Sequence, residues 1–231
     1  MKLETLSALN EARRARRPAL LVTDLASGAE RLVDAAALSS DPLAADLDAA
    51  LRMGKSALVE SGNQKYFISV QTPPLRILCI GAVHISQALV PMARLLGHDV
   101  IVVDPRTAFA TPERFPEVPL YAEWPDTILP TLGIDRYTAV VLLTHDPKID
   151  DPALHLALRS ESLYIGALGS RKTHGKRVER LQAAGFGPDA IARIHAPIGL
   201  NIGAVSPAEI ALSILGQITA SLRLKPDGSK A

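Results

Sequence analysis

Four short polar clusters each follow a run of apolar residues: Gly81-Ala82-Val83-His84, Asp104-Pro105-Arg106, Thr144-His145-Asp146 and Gly166-Ala167-Leu168-Gly169-Ser170-Arg171-Lys172-Thr173. The first two are parts of a nucleotide-binding unit. Gly81 permits a sharp turn into a helix whose N-terminus can hold a phosphate, and Asp104, about 20 residues on, is placed to take a ribose hydroxyl. The dinucleotide fingerprint G-x-G-x-x-G reads Gly81, Val83 and Ser86 here. Val83 puts a branched side chain where a glycine would let the backbone approach a pyrophosphate, which disfavours a standard NAD pose. The fourth cluster is chemically the strongest. Its glycines expose N–H groups, Ser170 and Thr173 offer hydroxyls, and Arg171 and Lys172 bring charge to a helix start, as in a phosphate cradle. A glycine-rich turn with two solvated cations is the plainer account of the same residues.

The third cluster can bind metal or move protons, and residues 144–155, THDPKIDDPALH, carry ligand types for a divalent ion. Asp151 ahead of Pro152 is better read as a helix N-cap, with His155 well inside that helix, so no metal site is expected. His145 is read as lining the ligand pocket, and His84 divides evenly between ligand contact and local structure. His98, His174 and His195 are read as surface or turn residues. The stretch Pro197–Gly203 around Gly199 can fold against a ligand or serve as a compact connection. No serine–histidine–acid triad or nucleophilic cysteine stands in a convincing context, so the sequence leans away from an enzyme without excluding one.

These clusters need elements to bring them together. Residues 77–80, 100–103, 139–143 and 163–165 are continuous apolar runs, as strands covered on both faces should be. Between the first two, Ile85, Leu89, Met92 and Leu96 recur at helical spacing, and Gly97 closes that helix. Pro91 lies inside it and should kink it. Residues 173–184 form a basic helix ended by Gly185, and Ser206-Pro207-Ala208-Glu209 is a capping box opening a last helix to about residue 222. Repeated strand–helix units predict a Rossmann-like, doubly wound parallel α/β sheet. Such sheets bind ligands at the carboxyl ends of their strands, where all four clusters converge.

Residues 1–72 read differently, as a small α+β domain. It has a helix over 3–17, strands over 19–22 and 29–33, an amphipathic helix over 42–53 closed by Gly54, and a hairpin of 56–59 and 66–70 around Ser61-Gly62-Asn63. Thr72-Pro73-Pro74 is a stiff connector, since proline cannot join a central strand. The main domain is expected over 73–222 and a disordered tail over 223–231.

With 25 basic and 24 acidic residues among 231, net charge +1, nucleic acid is not the expected partner. The single cysteine, Cys79, lies within the first apolar strand as a small core residue; one cysteine excludes an internal disulfide framework and fits a reducing cytoplasm. No apolar run is long enough to span a membrane. Arg13, Arg14, Arg16 and Arg17 are followed by only four apolar residues, too few for a twin-arginine export signal, and fit the cationic end of the first helix.

Taken in order, the segments IGAVHISQAL, VVDPR, LLTHD, YIGALGSRKTH and PIGLNIGAVSPAEIA resemble the C-terminal Rossmann domain of the XdhC/CoxI family. The resemblance covers residues from about 75 to 222. It implies an accessory chaperone that binds the molybdenum cofactor, a phosphorylated pterin that in some cases carries a nucleotide, and supports its maturation and insertion. The implied partners are an apo molybdoenzyme of the xanthine dehydrogenase or carbon monoxide dehydrogenase type and, optionally, a cysteine desulfurase. Gly81, Asp104, Arg106, His145, Gly169, Ser170 and Arg171 would line the cofactor pocket, with Ala82, His84, Asp146, Gly166, Lys172 and Gly199 as further binding residues. The first domain departs from the family pattern. It lacks the GS-x-R and GGC segments of full-length members, keeping only Ser27-Gly28 in a similar place, which suggests action as a homodimer or beside a complete paralogue. The alternatives are an NAD(P)-dependent oxidoreductase and a scaffold or regulator that has lost ligand binding.

Overall fold

The computed structural model describes residues 2–34 and 36–224. By their internal contacts, Pro74–Leu222 form one compact unit, and the described residues up to Pro73, with Arg223 and Leu224, form another.

In the smaller unit the first helix, α1 (Leu3–Arg14), is followed by strands β1 (Ala19–Asp24) and β2 (Glu30–Val33). Helix α2 (Ala44–Met53) and the hairpin β3 (Ala57–Ser61) and β4 (Gln64–Gln71) complete it. The four strands make an antiparallel sheet in the order β2-β1-β4-β3. Its inward residues Leu20, Val22, Val33 and Ile68 are buried with Leu43, Leu47 and Ala50. The first helix is three residues shorter than its sequence pattern suggests, because Arg16 takes a positive φ of 51° and turns the chain toward β1. Of the expected tail, residues 225–231 lie outside the described residues, and Arg223 is the last residue of a helix.

The larger unit runs β5 (Arg76–Ile80), α3 (His84–Leu95), β6 (Asp99–Val103), β7 (Leu120–Tyr121), α4 (Pro125–Leu132), β8 (Thr138–Leu142) and α5 (Pro147–Leu158). It continues with β9 (Tyr164–Ala167), α6 (Arg171–Ala183), α7 (Pro188–Ala192), β10 (Ile194–His195) and α8 (Pro207–Arg223). All six strands are parallel, in the order β10-β9-β8-β5-β6-β7. Strand alternation divides the core between the two faces. Ile77, Cys79, Ala139 and Val141 pack with Leu89 and Ala93 of α3 and Ile214 and Ile218 of α8. Leu78, Ile80, Val140 and Leu142 pack with Leu129 of α4, Leu154 of α5 and Leu181 of α6. The doubly wound parallel sheet read from the apolar runs is therefore the observed fold. Among the described residues no helix is long and apolar enough to cross a membrane.

Two element starts differ from the sequence reading. Helix α5 begins at Pro147, not at Pro152, because Asp146 is the N-cap and its carboxylate accepts the Lys148 N–H at 2.9 Å. Both Asp-Pro pairs carry the same start signal. The earlier one prevails because it lets the next turn bury Ile149 and Asp150. Asp151 is thereby released to pair with Arg180. Helix α6 begins at Arg171 rather than Thr173, since Ser170 caps it by accepting the Thr173 N–H. His195 is not a surface residue: it lies in β10, half-buried, with its ring stacked 4.7 Å from that of Tyr164.

Cys79 is fully buried and burial pushes its thiol up to about 12. A thiolate is the reactive form. Native protein at neutral pH is therefore expected to resist iodoacetamide, whereas guanidinium-unfolded protein takes up the label. Equal labelling rates for the two, followed by mass spectrometry, would contradict this burial.

Candidate functional site

The strand order reverses between β5 and β8, so a crevice opens outside the carboxyl ends of these strands. Gly81 leaves β5 at φ +119°, and a Cβ there would come 2.8 Å from Thr144 Cγ2. Only glycine lets the two strand ends approach this closely. Ser86, wholly buried, ties the turn: its hydroxyl donates to Gly81 O and accepts the Val83 N–H, both at 2.8 Å.

Asp104 does something other than receive a ribose hydroxyl. It is 0% exposed, and its carboxylate accepts the Ala82 N–H at 2.8 Å and the Arg106 N–H at 3.0 Å. It also accepts Arg106 Nε and Nη2 at 2.9 and 2.7 Å. Burial alone would raise this carboxyl, but the hydrogen bonds from Arg106 and Ala82 outweigh it and hold it below the usual carboxylate range. A fixed anion thus occupies the N–H group at which a glycine turn would meet a pyrophosphate. The spacing located Asp104 at the right strand end; its partners came from Arg106, two residues away, and from the Gly81 turn.

The chemistry concentrates one strand over. A cleft of about 340 Å³ lies between α5 and α6. The β8–α5 segment contributes His145, Pro147 and Asp150; one face of α6 contributes Lys172, Thr173, Lys176, Arg177 and Arg180. Asp150 and Arg177 are both 2% exposed, with 3.9 Å between Oδ2 and Nη2. Thr144 Oγ1 donates to Asp150 at 2.6 Å. Burial raises the Asp150 carboxyl against the opposing pull of Thr144, Arg177 and His145, and burial lowers Arg177 from its ordinary value. Arg180 is held by Asp151 through Nε at 2.5 Å and Nη2 at 3.0 Å. His145 adopts φ +69°, a left-handed conformation costly for a residue with a side chain.

Of the residues singled out from the sequence, His145, Lys172 and Thr173 line this cleft. Gly169, Ser170 and Arg171 belong to the turn and first residue of α6 beside it; Gly169 has φ +131°. Asp146 is the α5 cap. Gly81, Ala82, Asp104 and Arg106 form the separate β5–β6 edge, and His84 is exposed at the first position of α3. Gly166 lies in β9, where a Cβ would meet Ile198 at 2.5 Å. Gly199 donates its N–H to Gln217 Oε1 at 2.8 Å and packs against α8, so both close the core. Lys176, Arg177 and Arg180 were missed, and Asp150, read from the sequence only as one of the ligand types for a divalent ion, lines the cleft beside Arg177. The signal of the cations was present as a basic i, i+4, i+8 stripe, Lys172, Lys176 and Arg180, on one helical face.

A model of the XdhC Rossmann domain matches residues 77–218 of the chain. The chain is 34% identical over 169 residues to an uncharacterized protein, YqeB, of Escherichia coli K12. It is 31% identical over 152 residues to the molybdenum cofactor insertion chaperone PaoD of the same organism. It is also 31% identical over 153 residues to a protein of Bacillus subtilis named as a probable component of xanthine dehydrogenase. These matches cover 72%, 66% and 66% of the chain but 31%, 41% and 44% of the relatives, so the chain spans less than half the length of each. A crystal structure described as that of a xanthine dehydrogenase from Bacillus halodurans superposes with a TM-score of 0.67 at 24% identity. That superposition covers 95% of this chain and 64% of the other, and shows a shared fold.

Proposed function

Because this chain belongs to the XdhC family, we propose that it is an accessory protein that holds the molybdenum cofactor as cargo for an apo molybdoenzyme. The observation that carries this reading is the cationic cleft at the carboxyl edge of the Rossmann sheet, in a chain similar to a molybdenum cofactor insertion chaperone. The cargo is a phosphorylated pterin and needs fixed positive charge. Lys172, Lys176 and Arg177 supply that charge, with Asp150 and His145 beside them. The chain's part is to bind, orient and shield the ligand. Handover to an enzyme of the xanthine dehydrogenase type is the step this role serves. The NAD(P) alternative meets Asp104 in the Gly81 turn, where a carboxylate already accepts the Ala82 N–H.

The test is retention. Purified protein is incubated with molybdenum cofactor and gel-filtered, and molybdenum and a fluorescent pterin derivative are quantified per chain. Near-stoichiometric retention is expected. No retention, with a full-length relative binding in parallel, would refute the carrier role for this chain.

A further inference from the structure

Arg177 is buried without a full set of partners. Its Nη2 donates to Leu168 O at 2.9 Å, while Nε and Nη1 have no hydrogen-bond partner among the described residues. Buried donors in native proteins are almost always paired, and an apolar residue of similar size fills a core position without this penalty. A guanidinium that lines a cleft with open donors fits a position completed by an anionic ligand. Lys172 and Lys176 project from the same face of α6, and neither has an ion-pair partner among the described residues. Arg180, by contrast, is already neutralised by Asp151. The opposing charge within the cleft is Asp150, which lies 3.9 Å from Arg177 Nη2.

Two uncompensated lysines beside the open donors of Arg177, itself 3.9 Å from Asp150, match a dianion better than a monoanion. A diester or pyrophosphate bridge spreads single charges over separate phosphates and is ordinarily held by glycine-turn N–H groups. Here the Gly81-Ala82 turn holds Asp104 instead. We propose that the cleft between α5 and α6 is a subsite for a terminal phosphate monoester, anchored by Arg177 and flanked by Lys172 and Lys176. This deepens the carrier reading and rests on it for the identity of the natural ligand: the favoured cargo is the form that ends in a phosphate monoester, and the dinucleotide form is selected against. Arg177 provides desolvated, charge-assisted contacts through its open Nε and Nη1 donors. The two lysines provide point charge at the rim, with salt-dependent effect.

Inorganic phosphate, phenyl phosphate and dimethyl phosphate are titrated calorimetrically into the wild-type protein and into Arg177→Met, Lys176→Ala and Arg94→Met. Arg94 is an exposed α3 cation outside the cleft and serves as a control. Phosphate and phenyl phosphate are expected to bind the wild type saturably, with dimethyl phosphate at least roughly tenfold weaker, about 1.4 kcal/mol. Arg177→Met is expected to weaken phosphate by about tenfold or more and Lys176→Ala by about threefold, with Arg94→Met unchanged. Lys176 is exposed, so its variant keeps the test informative if Arg177→Met fails to fold. Equal binding of the diester, unaltered binding by both cleft variants, or no saturation up to about 20 mM phosphate would overturn the subsite. The same proteins are gel-filtered with molybdenum cofactor. Cofactor retention without phosphate binding removes the subsite and leaves the carrier reading; phosphate binding without retention does the reverse.

Discussion

Replacing Asp104 with Asn is expected to lower the stability of the larger unit by about 3 kcal/mol, because one side chain serves four donors at once. The Ala82 N–H, the Arg106 N–H and two guanidinium nitrogens of Arg106 all converge on it, and it has no solvent exposure. An amide keeps one acceptor oxygen but turns an NH₂ toward donors, leaving buried N–H groups unpaired. Arg106 is partly exposed and recovers some hydration, which limits the loss. A fall in the urea midpoint with an unchanged slope reports the effect. The sign of the pH dependence follows from the lowered carboxyl. Its contribution is complete above its unfolded value, about 3.8, and is lost as the pH falls through the lower folded value. The wild type is therefore expected to lose stability on acidification below about pH 4 more steeply than Asp104→Asn. Parallel acid limbs for the two proteins would show that this carboxylate is not ionised and bonded as described.

Gly81→Ala is expected to be comparably damaging, by about 2–4 kcal/mol, through strain and a clash together. At φ +119° an alanine is strained whatever the space around it, and its Cβ would lie 2.8 Å from Thr144 Cγ2 and 3.4 Å from the backbone of Leu143. The methyl cannot be relieved by a rotamer change of its own. Relief requires β5 and β8 to part at their carboxyl ends, which displaces Thr144 and, through the 2.6 Å bond it makes, Asp150. The substitution should therefore loosen the cleft as well as lower the thermal midpoint. A Gly81→Ser variant as stable as wild type would show that the turn tolerates a side chain and that the close approach is not required.

Much of the fold was legible because burial on both faces leaves a plain mark. A strand such as 77–80 or 139–142 carries no polar residue to interrupt it, and a helix such as α8 opens on Ser206 and Glu209, which cap each other as their spacing suggests. The two-residue strands β7 and β10 left no such mark, since a pair of residues has no period. The start of α5 was ambiguous because two Asp-Pro dipeptides lie five residues apart; which one caps depends on whether Asp150 is then carried inward to Thr144.

At the site, residue types set the kind of chemistry and the tertiary structure set its place. The sequence by itself determined a parallel Rossmann-like sheet, polar clusters at its carboxyl edge, and a basic helix with cationic residues at its start. Apolar runs and helical spacing are local properties, and they are written in consecutive residues. Only the tertiary structure decided that Asp104 would be engaged by Ala82 and Arg106, and that Arg177, of a residue type ordinarily found at the surface, would be buried beside Asp150. Those two outcomes depend on which elements pack together across the sheet and on the water they exclude, and no spacing along the chain records either.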